Sequence, residues 1–228
     1  MSNRSIHTLL KNWDEECPLT REEAVEVLSL PEEEMDSLME CAYALRTKYK
    51  GKKVSVQLLT NVRSGNCTQN CAYCAQSKDS QAEIEKYKRV SDEKLYGDND
   101  LVDEKHLARH CIGLSGIGFS DEEIEDLADR IREMKKKDTQ ICCSIGFLTE
   151  KQARILKDAG LDRINHNLNS SRNYYSHICT THTFDQRVEN IHMLQRLGFE
   201  ICSGGIIGMG ESKEDVVDML LELREIQP

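Results

Sequence analysis

Three cysteines fall within eight residues, Cys67-Thr68-Gln69-Asn70-Cys71-Ala72-Tyr73-Cys74, and no fourth cysteine or histidine lies close enough in sequence to complete the set locally. Thiolates at this density are soft ligands that suit an iron–sulfur cluster or zinc. A structural zinc site is normally closed by a fourth protein ligand, and the next candidate downstream, His106, lies across a long charged stretch. A cubane cluster held by three cysteines keeps one iron free for a small molecule, which turns an electron carrier into a reaction centre. The spacing favours the open cluster over zinc and over a chance grouping.

The elements that position this loop read as a regular series. The first fifty residues predict short helices: Thr20 can cap a helix with Glu23 three positions on, and Pro31 opens a second run to about Lys48. From Lys53 short β-type stretches alternate with longer amphipathic ones. Strands are expected at 53–59, 109–114, 139–145, 161–168 and 199–204, and helices near 83–107 (irregular), 121–136, 150–159, 185–197 and 212–225. Ala159-Gly160 and Leu197-Gly198 each place a glycine where a helix stops before a strand. The organisation expected is a helical extension over 1–50 and a partial (β/α) TIM-type barrel over 51–228, an α/β fold of about five βα units. Alternation along the strands supports a barrel wall over a sheet buried equally on both faces. His110, Ile112 and Leu114 share one face and Arg109, Cys111 and Gly113 the other; Ile164, His166 and Leu168 oppose Arg163, Asn165 and Asn167.

The same alternation sorts the remaining cysteines. Cys111, Cys142 and Cys202 fall on the cavity side of three strands, where they could converge on a second metal cluster, while Cys143 faces the helices. A single buried cysteine is more often a small hydrophobe; three in register favour function. Cys17, Cys41 and Cys179 lack such support and read as bland. Asn165 and Asn167 point inward at a strand end, where barrel enzymes place ligand-binding groups. Gly204-Gly205-Ile206-Ile207-Gly208 is a weak glycine-rich turn signal, and Arg187, near a helix start, could form a carboxylate fork.

Composition narrows the classes. A net charge of -10 argues against a phosphate-binding surface, so nucleic acid is not expected. The first residues lack the apolar core of a signal peptide, and no run of about 18 apolar residues suggests a membrane span. The expected location is the cytoplasm, where ten cysteines point to metal rather than disulfides.

Cys-x3-Cys-x2-Cys after a first barrel strand, with an aromatic before the last cysteine, resembles the radical S-adenosylmethionine superfamily. The longer match resembles the biotin synthase family over nearly the whole chain. It is carried by Cys67 to Ser77, His110-Cys111-Ile112-Gly113, Cys142-Cys143-Ser144-Ile145-Gly146, Asn165-His166-Asn167-Leu168-Asn169, Cys179-Thr180-Thr181-His182-Thr183 and Cys202-Ser203-Gly204-Gly205. The resemblance implies that Cys67, Cys71 and Cys74 hold a [4Fe–4S] cluster whose open iron binds S-adenosylmethionine. It implies that Tyr73 presents backbone to the adenine, Ile206 packs on that ring, Arg187 clamps the methionine carboxylate, and Asn167 and Asn169 contact the ribose. Asn165 and Asn167 would lie near dethiobiotin. Cys111, Cys142 and Cys202 would hold a [2Fe–2S] cluster as sulfur source, with Arg109 beside it. The implied reaction is radical sulfur insertion converting dethiobiotin to biotin, fed by an electron donor such as flavodoxin or ferredoxin, in a homodimer.

Two departures qualify these expectations. Asn169 stands where some relatives carry aspartate. Family members also continue through further strands, a substrate-binding asparagine and an arginine ligand of the second cluster, whereas this sequence stops after the fifth βα unit, so a C-terminally truncated barrel is expected. The alternatives are a radical enzyme without sulfur insertion, or a catalytically impaired iron–sulfur-binding or zinc-binding fragment that assembles with another protein.

Overall fold

The computed structural model describes residues 18–228, so Cys17 and the start of the helical preface lie outside the described residues. Helix α1 (Arg21–Leu28) begins at the expected capping box: Thr20 Oγ1 accepts from Glu23 N at 3.2 Å, and the Glu23 carboxylate accepts from Thr20 N at 2.9 Å. Pro31 opens a 3₁₀ turn, Glu32–Glu34, that leads into α2 (Met35–Lys50). Strands β1 (Gln57–Arg63), β2 (Arg109–Leu114), β3 (Ile141–Ser144), β4 (Arg163–Asn165) and β5 (Glu200–Cys202) then alternate with helices. The helices are α3 (Asp92–Glu104), α4 (Asp121–Met134), α5 (Glu150–Asp158), a short α6 (Tyr175–Ile178), α7 (Phe184–Arg196) and α8 (Lys213–Ile226).

All four strand pairings are parallel and the spatial order is β1-β2-β3-β4-β5. With right-handed crossovers, an order that never reverses keeps every helix on one face. That is the construction of a barrel wall, and it excludes the doubly wound alternative, whose order reverses at a switch point. The helix-facing side carries His110, Ile112, Ile141, Cys143 and Ile164, each at most 1% exposed. Ile112, Ile141, Cys143 and Ile164 share one buried core cluster with Ile124, Leu127 and Ile131 of α4, Leu156 of α5 and Ile191 and Leu194 of α7. Each such aliphatic side chain stabilises the fold by roughly 1.5–3 kcal/mol.

Helix ends follow the sequence closely, because caps are local. Ser120 and Glu123, Thr149 and Gln152, Thr183 and Gln186, and Ser212 and Asp215 form reciprocal boxes, and Gly160 and Gly198 take φ of 94° and 78° after their helices. Strand limits depart more. The first strand starts at Gln57 rather than Lys53, because ladder length is set by the partner: Gln57 pairs with Arg109, and Val54 and Val56 remain 74% and 58% exposed. The fourth and fifth strands shrink to three residues each, since the chain bends out of the ladder toward the site. The long irregular helix expected at 83–107 is helical only from Asp92, where Ser91 caps it. Its first part instead pairs back on the end of β1, with Ser64 and Tyr87 exchanging backbone hydrogen bonds.

Candidate metal and cofactor site

A cavity of about 230 Å³ opens at the carboxyl ends of the strands. Its walls come from the 67–76 loop after β1, Leu114–Ile117 after β2, Ser144–Gly146 at the end of β3, Asn165–Asn167 and Asn169 after β4, and His182 and Arg187. Cys67, Cys71 and Cys74 all line it, as do Tyr73, Asn165, Asn167, Asn169 and Arg187. Ile206 is not in the wall; it is 36% exposed, its N–H donating to the Asn169 carbonyl at 2.9 Å. A second cavity of about 480 Å³ lies between α1, α2 and α8, lined by apolar side chains and Arg224, and brings together no metal ligand.

The cysteine loop is held by backbone and by a distant segment. Cys71 O accepts from Cys74 N at 3.1 Å and Cys74 O from Ser77 N at 3.0 Å, which fold the motif into successive turns. Gln69 O accepts from Lys78 N at 2.9 Å and closes the loop. Asn70 then docks it on residues 179–183: its Nδ2 donates to Thr180 Oγ1 at 2.7 Å and its Oδ1 accepts from Thr180 N at 3.1 Å. Ala72 N donates to Ile178 O at 2.9 Å, and the Cys71 and Cys179 sulfurs stand 3.7 Å apart. Cys179, read as bland from the sequence, is thus buried against a member of the loop. The reading failed because the cysteine lies on a connecting turn, where strand alternation gives no guide; the polar run Thr180-Thr181-His182-Thr183 after it was the available signal.

His182 and Arg187 link that segment to the far wall. The guanidinium donates to the Tyr175 hydroxyl, to Asn167 O at 3.1 Å and to His182 Nε2 at 2.8 Å. Gln69 Oε1 lies 2.9 Å from His182 Nδ1, so the ring is neutral, donating from Nδ1 and accepting at Nε2. Burial, aided by the Arg187 charge, holds it down to about 4. Of five guanidinium N–H groups, three are thus used and one on each terminal nitrogen remains. Asn169, at φ 70°, donates from Nδ2 to the Tyr73 hydroxyl at 2.7 Å. Burial pushes the Cys71 thiol up to about 12 and raises Tyr73 as well.

A second thiol set lies on the cavity face of the sheet, with Cys111 and Cys142 one inward-facing row below the level of Asn165 and Cys202 at that level. Cys111 and Cys142 are direct register partners, and Cys142 is followed in that row by Arg163 and Glu200. Cys202, register partner of Asn165, is near enough to raise Cys142 electrostatically. A hydrogen bond from Cys142, outweighing burial and helped by Arg109 and Arg163, lowers Cys111 to about 7. Arg109 Nε is buried without a partner. Cys143 is fully buried on the other face, as alternation required. Arg163 and Glu200, which join side chains with Nε to Oε2 at 3.0 Å, were not singled out from the sequence.

A one-directional parallel sheet with a three-cysteine loop at its carboxyl ends defines a radical S-adenosylmethionine protein. A model of the Radical SAM superfamily matches residues 61–223, and the chain belongs to that superfamily. It is 41% identical over 209 residues to the biotin synthase of Geobacillus kaustophilus, covering 91% of this chain and 63% of that one. Against the biotin synthase of Bacillus subtilis the identity is 40% over 209 residues, covering 91% and 62%. The chain therefore spans a little under two thirds of the length of these relatives. Among solved structures, methylornithine synthase superposes with a TM-score of 0.83 at 17% identity, covering 96% of this chain and 64% of that one. The FeFe-hydrogenase maturase HydG from Carboxydothermus hydrogenoformans gives 0.79 at 19%, covering 95% and 52%, and both share the fold of this chain. The superfamily implies a [4Fe–4S] cluster and S-adenosylmethionine. The donor set fits: three thiols line one wall, with free guanidinium and amide donors across from them.

No helix of the described residues is long and apolar enough to cross a membrane.

Proposed function

We propose that the chain performs the reaction of a biotin synthase, radical sulfur insertion converting dethiobiotin to biotin. The observation that carries this reading is the second thiol set. Cys111 and Cys142 sit side by side on adjacent strands, with Cys202 on the same face and two arginines beside them. Radical formation alone needs no such set. Cys67, Cys71 and Cys74 would hold the [4Fe–4S] cluster, which when bound and reduced supplies the electron that cleaves the sulfonium of S-adenosylmethionine. Cys111, Cys142 and Cys202 would hold a [2Fe–2S] cluster as the sulfur source, and the unpartnered Arg109 Nε suits the charge of such a group.

The protein's own groups bind and orient. Arg187, with one N–H left on each terminal nitrogen, clamps the methionine carboxylate in bidentate fashion. Asn167 and Asn169 hold the ribose hydroxyls, Tyr73 presents backbone to the adenine, and Asn165 and Asn167 bind the ureido end of dethiobiotin. Ile206, beside Asn169 through its backbone bond, would pack on the adenine. Apolar walls from Leu114, Ile117 and Ile145 keep water from the reacting C–H bond. Flavodoxin or ferredoxin supplies the electron, two chains pair as a homodimer, and the free state of all nine described cysteines suits the cytoplasm.

The test is anaerobic reconstitution with iron and sulfide, followed by reduction with S-adenosylmethionine and dethiobiotin and mass-spectrometric quantification of products. Both 5′-deoxyadenosine and biotin are expected. Deoxyadenosine without biotin would replace the reading with a radical enzyme lacking sulfur insertion, and neither product would leave a cluster-binding fragment.

A further inference from the structure

Cys179 belongs to neither thiol set, yet its sulfur lies 3.7 Å from that of Cys71, in hydrogen-bonding contact. The backbones that carry the two are themselves joined through Ala72 N and Ile178 O. Closing the sulfurs to a bond of about 2.0 Å is a short move from 3.7 Å, between segments that the Ala72–Ile178 bond already holds together. Cys71 and Cys179 are 8% and 3% exposed, which shields the pair from bulky thiols. Cys71 also borders the cavity, where a small oxidant can enter.

We propose that, while the three-cysteine loop holds no metal, Cys71 and Cys179 are joined by peroxide into an intramolecular disulfide that withdraws one metal ligand and fastens the loop to the 179–183 segment. His182 does not turn the same group into a single-ion site, although its ring nitrogen lies within 4.8 Å of both sulfurs. Cys179 Sγ is 3.3 Å from one ring nitrogen and 3.7 Å from the other, so it lies over the ring face, away from the lone pair a metal would need.

The chemistry consumes one peroxide. The Cys71 sulfur attacks a peroxide oxygen, the O–O bond breaks, and the departing hydroxide takes up the thiol proton as water, leaving a sulfenic acid. The Cys179 sulfur then attacks the Cys71 sulfur; the S–S bond forms, the S–O bond breaks, and hydroxide leaves as a second water with the Cys179 proton. Two thiols lose two electrons and peroxide is reduced to two waters. The second step joins sulfurs that already stand 3.7 Å apart, so the sulfenic acid is captured before a second peroxide reaches it.

The experiment uses the full chain stripped of metal by a chelator under reducing conditions, treated with hydrogen peroxide, alkylated and digested. Mass spectrometry is expected to find the Cys71 and Cys179 peptides joined, two hydrogens lighter than their sum. Iron and sulfide uptake should be lost in the oxidised protein and return after a phosphine reductant. Cys179→Ser should take up iron normally before peroxide, with unchanged circular dichroism, and give no such cross-link after it. Cross-links from Cys71 to Cys67 or Cys74 instead, or Cys71 found as sulfinic acid beside an alkylated Cys179, would overturn the proposal.

Discussion

Arg187 and His182 show how one side chain sets the state of another. The guanidinium stands on the acceptor nitrogen of a ring whose other nitrogen donates to Gln69, and Phe147, Tyr175 and Cys179 close the remaining sides. A proton on that ring would face a cation with no water between. The folded value near 4 lies below the unfolded value of about 6.5, so the unfolded chain binds the proton first. The stabilisation is complete above pH 6.5, falls as pH drops toward 4, and totals on the order of 3 kcal/mol. Urea midpoints of the metal-free protein should therefore fall between pH 7 and pH 4.5, and by less in His182→Gln. Replacing Arg187 by Lys keeps the charge and loses the fork; S-adenosylmethionine affinity of the reconstituted protein should drop about 10- to 100-fold by calorimetry, as expected for about 1.5–3 kcal/mol in a charged hydrogen bond. At this scale the motif cysteines stood out by their spacing, Asn167 by its strand end and Arg187 by its helix start, and all of them line one cavity. Cys179 and His182 did not stand out, because their importance comes from contact with Cys71 and Gln69, more than a hundred positions away.

Helix α7 carries Arg187 in its first turn, so its start decides where the guanidinium stands. Thr183 Oγ1 accepts from Gln186 N at 3.2 Å, and Gln186 Oε1 accepts from Thr183 N at 2.9 Å. Thr183→Ala should cost about 1 kcal/mol in denaturant unfolding. It should also weaken S-adenosylmethionine binding although Thr183 touches no ligand, while Thr183→Ser should restore both. Caps of this kind explain why helix limits could be read from sequence to within two residues for α4, α5, α7 and α8. Strands were harder, since a ladder exists only where two chains meet. Lys53–Val56 have strand composition, and the partner that would pair them begins only at Ala108, whose N–H reaches Val56 O at 2.8 Å. The brief α6 was missed because four residues carry too little periodicity to signal a helix.

The whole molecule is a curved five-stranded wall with helices on one side and its thiol-bearing face on the other. Among the described residues β1 and β5 each pair on one side only. Leu59 on β1, an inward-facing position by register with Cys111, is 69% exposed. An unpaired edge with an apolar face beside it favours association. The 228-residue polypeptide should therefore show concentration-dependent association in analytical ultracentrifugation, and Leu59→Lys should shift it toward the monomer with little change in melting. A sedimentation profile that stays monomeric at high concentration for the unaltered chain would show that this face is tolerated in water.

The clamp between Asn70 and Thr181, 111 positions apart, also fixes an order of events during synthesis. Translation at roughly 5–20 residues per second brings the cysteine loop out of the ribosome on the order of ten seconds before the turn that holds it. Over that interval the loop has its sulfurs and lacks its seat. Metal loading belongs after release of the fourth βα unit, and a delivery system that acts on the nascent chain would meet three thiols not yet arranged to receive what it carries.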